Sequence, residues 1–248
     1  MKKTIYTINL FLLLLLNSCT KDFEEINTNP NAPNSVQPNL LLRQVIYDFG
    51  ENMSYEGFVA GDLLAQHRTA LDFNLFDRHA LKSPQLGGNP WPVFYKNLRD
   101  NEIIIKLSRQ SNTLKVYEGP ALILKAYMAA GLTDLFGDVP YFDAFNGTEG
   151  EVTPAYNSQE SIYLNAGGIL DNLDKGIEKI ESYSDAIPLQ GDILFNGNLE
   201  SWIRFAKSLK IKYLLRISAK VDVSPELQTL FDEGNYIMIN SQNAIFNF

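Results

Sequence analysis

The chain has 248 residues, with 21 basic against 29 acidic side chains and a net charge of −8; without the two lysines of its first 18 residues the charge is −10. A surface of that sign repels polyanions, which excludes nucleic acid and anionic lipid as partners. The length suffices for one sizeable core or two small ones, and 15 Phe, 12 Tyr and 2 Trp are more than core filling usually needs, which leaves some rings to face a ligand.

The chain opens on Lys2 and Lys3, then a short apolar run from Leu12 to Leu16, then Asn17, Ser18 and Cys19. A basic start, a brief apolar stretch and small residues before a cut describe a secretory signal over residues 1–18, and the apolar run is too short to span a bilayer. Cys19 is the single cysteine and has no disulfide partner, so in an exported chain it needs another reason to exist. Leu16-Asn17-Ser18-Cys19 resembles the lipobox, whose cysteine is lipidated and becomes the mature N-terminus, making the lipid the membrane contact. Lys21, Asp22, Glu24 and Glu25 follow directly and resemble the surface-export signal of lipoproteins in the Bacteroidota. Residues 19–38, through FEEINTNPNAPNSVQP, are too rich in Asn and Pro to hold a helix and read as an extended arm.

Residues 39–248 read as a helical domain. A first helix begins over Gln37 to Phe49, and a second covers Asn52 to Ala70, with Phe58, Val59, Leu63 and Leu64 at helical spacing. Leu71 to Pro90 loses all periodicity, and a loop of that length in a small domain is more often functional than accidental. Pro90 to Leu107 resumes as a helix with Trp91, Phe94, Tyr95, Leu98, Ile103, Ile104 and Leu107 toward the core, and Tyr117 to Phe136 forms the next, closed by Gly137 in the left-handed conformation and stopped by Pro140. Asp138 to Tyr156 is irregular, with the Asp138 side chain placed to satisfy loop amides. Asn157 and Glu160 have capping-box spacing ahead of a helix through Ile180. Tyr183 to Gly197 is a loop, Asn198 caps a helix to about Lys220, Ser224 caps a short one that Gly234 closes, and Tyr236 to Phe248 is strand or coil.

The fold class is therefore all-α, built of hairpins with long loops. Trp91, Phe94, Tyr95, Leu98; Tyr163, Ala166, Gly167, Leu170; and Trp202, Phe205, Ala206, Leu209 share the spacing of the first helix of a tetratricopeptide unit, at unequal intervals that predict irregular pairs. The helix from Asn198 carries Arg204, Lys207, Lys210, Lys212, Arg216 and Lys220, with Arg216 placed to pair with Asp134 on a neighbouring helix.

No catalytic constellation is present: His67 and His79 belong to no H-E-x-x-H, and there is no G-x-S-x-G and no P-loop, so neither an enzyme nor a metal or cofactor site is expected. A sugar site needs flat apolar faces ringed by groups that exchange hydrogen bonds with hydroxyls. His67, Arg68, Phe73, Asn74, Phe76, Arg78, His79, Asn89 and Trp91 supply that mixture around the long loop. Trp91 also has the spacing with Leu98 that helix packing requires, which weighs toward the core.

CTKDFEEINTNPNAP, WPVFYKNLRDNEIII, AYMAAGLTDLFGDVPY, PAYNSQESIY and GNLESWIRFAKSLKIKYLLRIS, in that order, resemble the SusD/RagB nutrient-binding lipoproteins. The resemblance implies an outer-membrane, lipid-anchored, surface-exposed protein that binds a glycan, less often a peptide, and caps a TonB-dependent SusC-like transporter. It also implies that this chain is an N-terminal portion, because the family continues into a second half that supplies part of the ligand surface. A tetratricopeptide-like scaffold serves protein partners as readily, so a structural or adaptor lipoprotein without nutrient ligand stays open.

Overall fold

Pro38 starts the first helix, since a proline in the first turn has no needed N–H to lose and its fixed φ is already helical. The structure is a computed structural model that describes residues 36–71, 76 and 89–245. The chain divides into residues 1–36 and 37–248, and all that follows concerns the second unit. Cys19 and the Lys21, Asp22, Glu24, Glu25 cluster lie outside the described residues.

Helix α1 spans Pro38–Glu56 and runs on through a π-helical turn, Gly57–Gly61, into α2, Asp62–Leu64. The two helices expected here are thus one rod. The extra residue of the π turn sits between two glycines and leaves Phe58 57% exposed while Leu63 is buried. The rod stops at Leu64, not Ala70.

Helix α3 (Trp91–Gln110) and a 3₁₀ turn (Asn112–Tyr117) lead into α4 (Glu118–Phe136). α3 buries Phe94, Leu98, Asn101, Ile105 and Ser108, a stripe of helical period, so Ile105 takes the core position expected of Ile103, which faces out. α4 is buried on nearly every side, from Gly119 to Thr133, which makes it the central helix with α3, α6 and α7 packed around it. Its closest neighbour is α6. A methyl group on Gly119 would come within 2.5 Å of Ile180 Cγ1 and 2.8 Å of the Gly176 carbonyl, so the two backbones touch where no side chain intervenes.

Gly137 has the expected positive φ, 73°, but its ψ of −127° lies outside the left-handed helical region; its N–H donates to the Thr133 carbonyl at 2.8 Å. The segment expected to be irregular holds one antiparallel bridge, β1 (Val139–Pro140) with β2 (Tyr156–Asn157). The Asp138 carboxylate accepts from the Gln159 N–H at 2.9 Å, which is the turn role its sequence context suggests.

The helix expected from Asn157 to Ile180 is two helices, α5 (Gln159–Leu164) and α6 (Ile169–Glu181). Gly167 turns the chain at φ +78°, and Gly168 lies so close to the Ile162 carbonyl that a Cβ would fall 2.4 Å from it. Ser158 is the cap, accepting from the Ser161 N–H, whereas Asn157 Oδ1 accepts from the Tyr141 and Phe142 amides at 2.9 and 3.0 Å. The break also divides the second tetratricopeptide template, placing Tyr163 on α5 and Leu170 on α6.

Asn198 caps α7 (Leu199–Ile217) by accepting from the Ser201 N–H at 2.9 Å. Ser224 is the first residue of α8 (Ser224–Glu233) instead of its cap; Asp222 accepts from the Ser224 N–H, and Gly234 closes the helix. Beyond it lies coil with a 3₁₀ turn at Asn240–Gln242. The basic residues of α7 tie helices together: Lys207 pairs with Glu233 of α8, Arg216 with Asp134 of α4 as its position predicts, and Lys210, 7% exposed, with both Asp174 of α6 and Glu226 of α8. A charge that deep is tolerated because two carboxylates meet it.

The loop from 183 to 198 is held by one buried carboxylate. Asp192 accepts from the Leu194, Phe195 and Gly197 amides at 2.9, 3.1 and 2.9 Å and from the Trp202 indole N–H at 2.9 Å. Beside it, Gly191 at φ +78° lies against Asn39 at the start of α1, where a Cβ would fall 1.9 Å from the Asn39 carbonyl oxygen. The architecture is all-α, of irregular helical hairpins with long loops.

Candidate functional site

Trp91 stands in the first turn of α3, with Pro90 before it and Pro92 after it. Its indole is half-buried against the core and belongs to a row of rings: Phe136 meets it edge-on at 5.0 Å, Tyr95 lies 4.8 Å away, and Phe145 follows at 6.2 Å from Tyr95. Trp91 and Tyr95 are neighbours because residues four apart share a helix face. Phe136 comes from the end of α4, and Phe145 from the loop after β1. Phe136 keeps 40% of its surface exposed, so the row reaches solvent.

Tyr95 is fixed at both ends. Its hydroxyl donates to the Pro140 carbonyl of β1 at 2.8 Å, and burial, with a smaller contribution from neighbouring Tyr156, pushes its pKa up to about 12. The phenol is therefore neutral at physiological pH and acts as a strut between α3 and the loop that follows β1.

A cleft of about 600 Å³ opens alongside this row. One wall is the face of α3 formed by Pro92, Tyr95, Lys96 and Arg99; the other is the loop Ala144, Phe145, Gly147 and Thr148. Asn157 anchors the near end of that loop through the Tyr141 and Phe142 amides, and Lys106 reaches Glu149 at its far end at 3.3 Å. Both basic residues of the α3 wall carry acidic partners: Lys96 bonds Asp48 at 2.8 Å, and Arg99 bonds Asp100 through Nε and Nη2 at 3.0 and 2.8 Å. Asp48 also accepts from Asn97 at 2.8 Å, locking α1 to α3 beneath the cleft.

The residues expected at the site divide three ways. Trp91 is at the head of the aromatic row and also packs on the core. His67 and Arg68 are exposed just after α2, where Arg68 turns back on its own helix, pairing with Asp62 at 3.0 Å and lying 5.0 Å from the Phe58 ring. Phe76 is half-buried, and Phe73, Asn74, Arg78 and His79 lie outside the described residues. Lys96, Arg99, Phe145 and Thr148 were missed by sequence reasoning. Pro92, Tyr95, Lys96 and Arg99 recur at i, i+3, i+4 and i+7, a face that periodicity could have shown; the loop wall has no periodic signal. Among the described residues no group of three His, Cys, Asp or Glu is placed to hold a metal ion, and no helix is long and apolar enough to cross a membrane. What the cleft offers is an aromatic surface beside neutralised ion pairs, an arrangement suited to holding a polar ring.

The sequence profile of the SusD-like family, described as starch-binding and associating with the outer membrane, matches residues 30–248. No match to a curated protein reaches significance. Three solved structures are similar. A SusD/RagB family protein from Bacteroides thetaiotaomicron superposes with a TM-score of 0.69 at 22% identity over 85% of this chain and 45% of its own. An outer membrane protein of Bacteroides vulgatus with a suggested part in nutrient binding gives 0.65 at 25% identity, over 85% and 44%. A chitin-binding protein gives 0.65 at 24%, over 85% and 46%. The chain thus spans less than half the length of these structures.

Proposed function

We propose that this chain, which belongs to the SusD-like family of starch-binding proteins associating with the outer membrane, is a non-catalytic lipoprotein that captures a nutrient glycan at the cell surface and passes it to a TonB-dependent SusC-like transporter. The observation that carries the reading is the row Phe136, Trp91, Tyr95 and Phe145, which sets aromatic faces next to a solvent-open cleft. Pyranose rings lie against such faces through their C–H surfaces while their hydroxyls bond to polar groups at the rim. His67, Arg68, Phe73, Asn74, Phe76, Arg78 and His79 sit in or beside the sequence that leads into Trp91 and are the residues we assign to ligand contact.

Calorimetric titration with maltohexaose and chitohexaose tests the reading. Replacing Phe73, Phe76 and His79 together by alanine is expected to weaken glycan binding about tenfold or more while lowering the melting temperature far less than a core substitution does, because loop residues contribute little to stability. Wild-type affinity in the triple variant removes these residues from the site.

The lipid anchor is tested separately. Cys19→Ala is expected to abolish incorporation of labelled fatty acid and to shift the protein out of the membrane fraction, since the lipid on Cys19 is the membrane contact that the lipobox supplies. Unlabelled wild-type protein refutes the lipobox assignment, and intact labelling without protease accessibility on whole cells refutes surface export through Lys21, Asp22, Glu24 and Glu25.

A further inference from the structure

We infer that the cleft between α3 and the Ala144–Thr148 loop is itself a saccharide subsite selective for uncharged sugar rings; the inference rests on the glycan-binding reading and deepens it by naming the ligand class of that cleft. Its volume of about 600 Å³ falls within the roughly 300–1,000 Å³ usual for small-molecule sites. The walls are also held in place without ligand, by Tyr95 on Pro140, Asn157 on the Tyr141 and Phe142 amides, and Lys106 on Glu149.

The charge arrangement selects the ligand class. Lys96 and Arg99 would attract a uronate or sulfated sugar if they stood alone, but each is paired to a carboxylate at 2.8 Å, with Asp48 and Asp100 respectively. An anionic ligand would have to displace those carboxylates and leave them beside it. Uncharged hydroxyls face no such conflict. Arg99 directs two of its N–H groups at Asp100 and Lys96 one at Asp48, so both retain donors for hydroxyl oxygens. The apolar surfaces of Pro92, Tyr95 and Phe145 on the two walls then take the ring face.

Gly147 allows a direct test. It lines the cleft, its φ is not positive, and a Cβ added there meets nothing within 4 Å. Gly147→Trp therefore adds a bulky ring at the rim of the cleft without strain in the backbone. With the whole chain, calorimetry against maltohexaose, chitohexaose and an oligogalacturonate is expected to show binding of one or both neutral oligomers, a loss of about tenfold or more in Gly147→Trp at unchanged melting temperature, and weaker binding of the acidic oligomer. Arg99→Ala is expected to weaken neutral binding as well and serves as the second variant should Gly147→Trp fail to fold. Neutral binding that survives both substitutions but falls in the Phe73, Phe76, His79 triple variant overturns the cleft and keeps the glycan-binding reading. No binding of any neutral oligomer to the wild-type chain overturns the cleft as an independent subsite; glycan capture by cells displaying the protein then decides the broader reading independently. Tighter binding of oligogalacturonate than of the neutral oligomers overturns the selectivity.

Discussion

Trp202→Ala is expected to lower the stability of the domain by about 3–5 kcal/mol, the range measured when a fully buried tryptophan or phenylalanine is truncated. Trp202 is 0% exposed, stands edge-on to Phe195 at 5.2 Å and near Phe205 at 6.2 Å, and sends its indole N–H to Asp192. Truncation removes the aromatic contacts, leaves a cavity between α7 and its preceding loop, and takes one donor from a buried carboxylate. Since domains of this kind are stable by only about 5–15 kcal/mol, the loss should be visible in a thermal or denaturant melt as a large drop in midpoint. Trp202→Phe keeps much of the ring and loses the N–H, so it should fall between wild type and alanine. A midpoint unchanged by the alanine variant, together with lost glycan binding, would move Trp202 from the core to the site.

The second large effect is expected at Asp192→Ala. Its carboxylate satisfies three backbone N–H groups and the Trp202 indole in a site where the residue is 6% exposed. A buried donor left without an acceptor costs about 1–3 kcal/mol, and water entering the loop will satisfy some of the four, so a total of about 3–5 kcal/mol is expected. Because both side chains share one bond and one cavity, the double variant should be destabilised by less than the sum of the single ones. Hydrogen exchange gives the sharper readout: the Leu194, Phe195 and Gly197 amides should lose protection in Asp192→Ala while the amides of α4 keep theirs at moderate destabilisation. Strict additivity, or protection unchanged in the loop, would show that the carboxylate does not organise it.

Long helices were legible because the burial of one face imposes a period on the sequence. α3, α4 and α7 were found within a few residues, as was the Asn198 cap, whose side chain acts on an amide three residues away. Arg216 with Asp134 was legible from position: Arg216 stands one turn beyond Lys212 on a basic helix, where an acid of a neighbouring helix can meet it. The break between α5 and α6 was hidden because Ile162, Ile169 and Leu173 continue nearly in phase across it. Part of what fixes the break is remote in sequence: the Tyr141 hydroxyl, from the loop before α5, donates to the Gly167 carbonyl at 3.1 Å, beside the nearby Asn172 Nδ2 at 2.7 Å. The π turn was hidden too, since one inserted residue changes phase without changing composition. At the site, the Trp91 and Tyr95 pair was readable from spacing alone; Tyr95 was read as core, and Trp91 was weighed toward the core while standing among the ligand candidates, and the row they form became visible only when Phe136 and Phe145 arrived from other segments.

The contact between Gly191 and Asn39 has a mechanical meaning. Tension applied through the residues ahead of Pro38, as a tether would apply it, enters the domain at the first turn of α1, where the backbone is already braced against the 183–198 loop. Peeling α1 away must therefore drag on the loop whose neighbouring residue, Asp192, is locked by four bonds, so the first yielding step is coupled to α7 instead of being confined to one terminal helix. Resistance to pulling follows the barrier to that step and not the equilibrium stability. Loosening the brace, by substitution at Asp192, should make the molecule softer to force applied at this end than its loss of melting temperature alone would indicate.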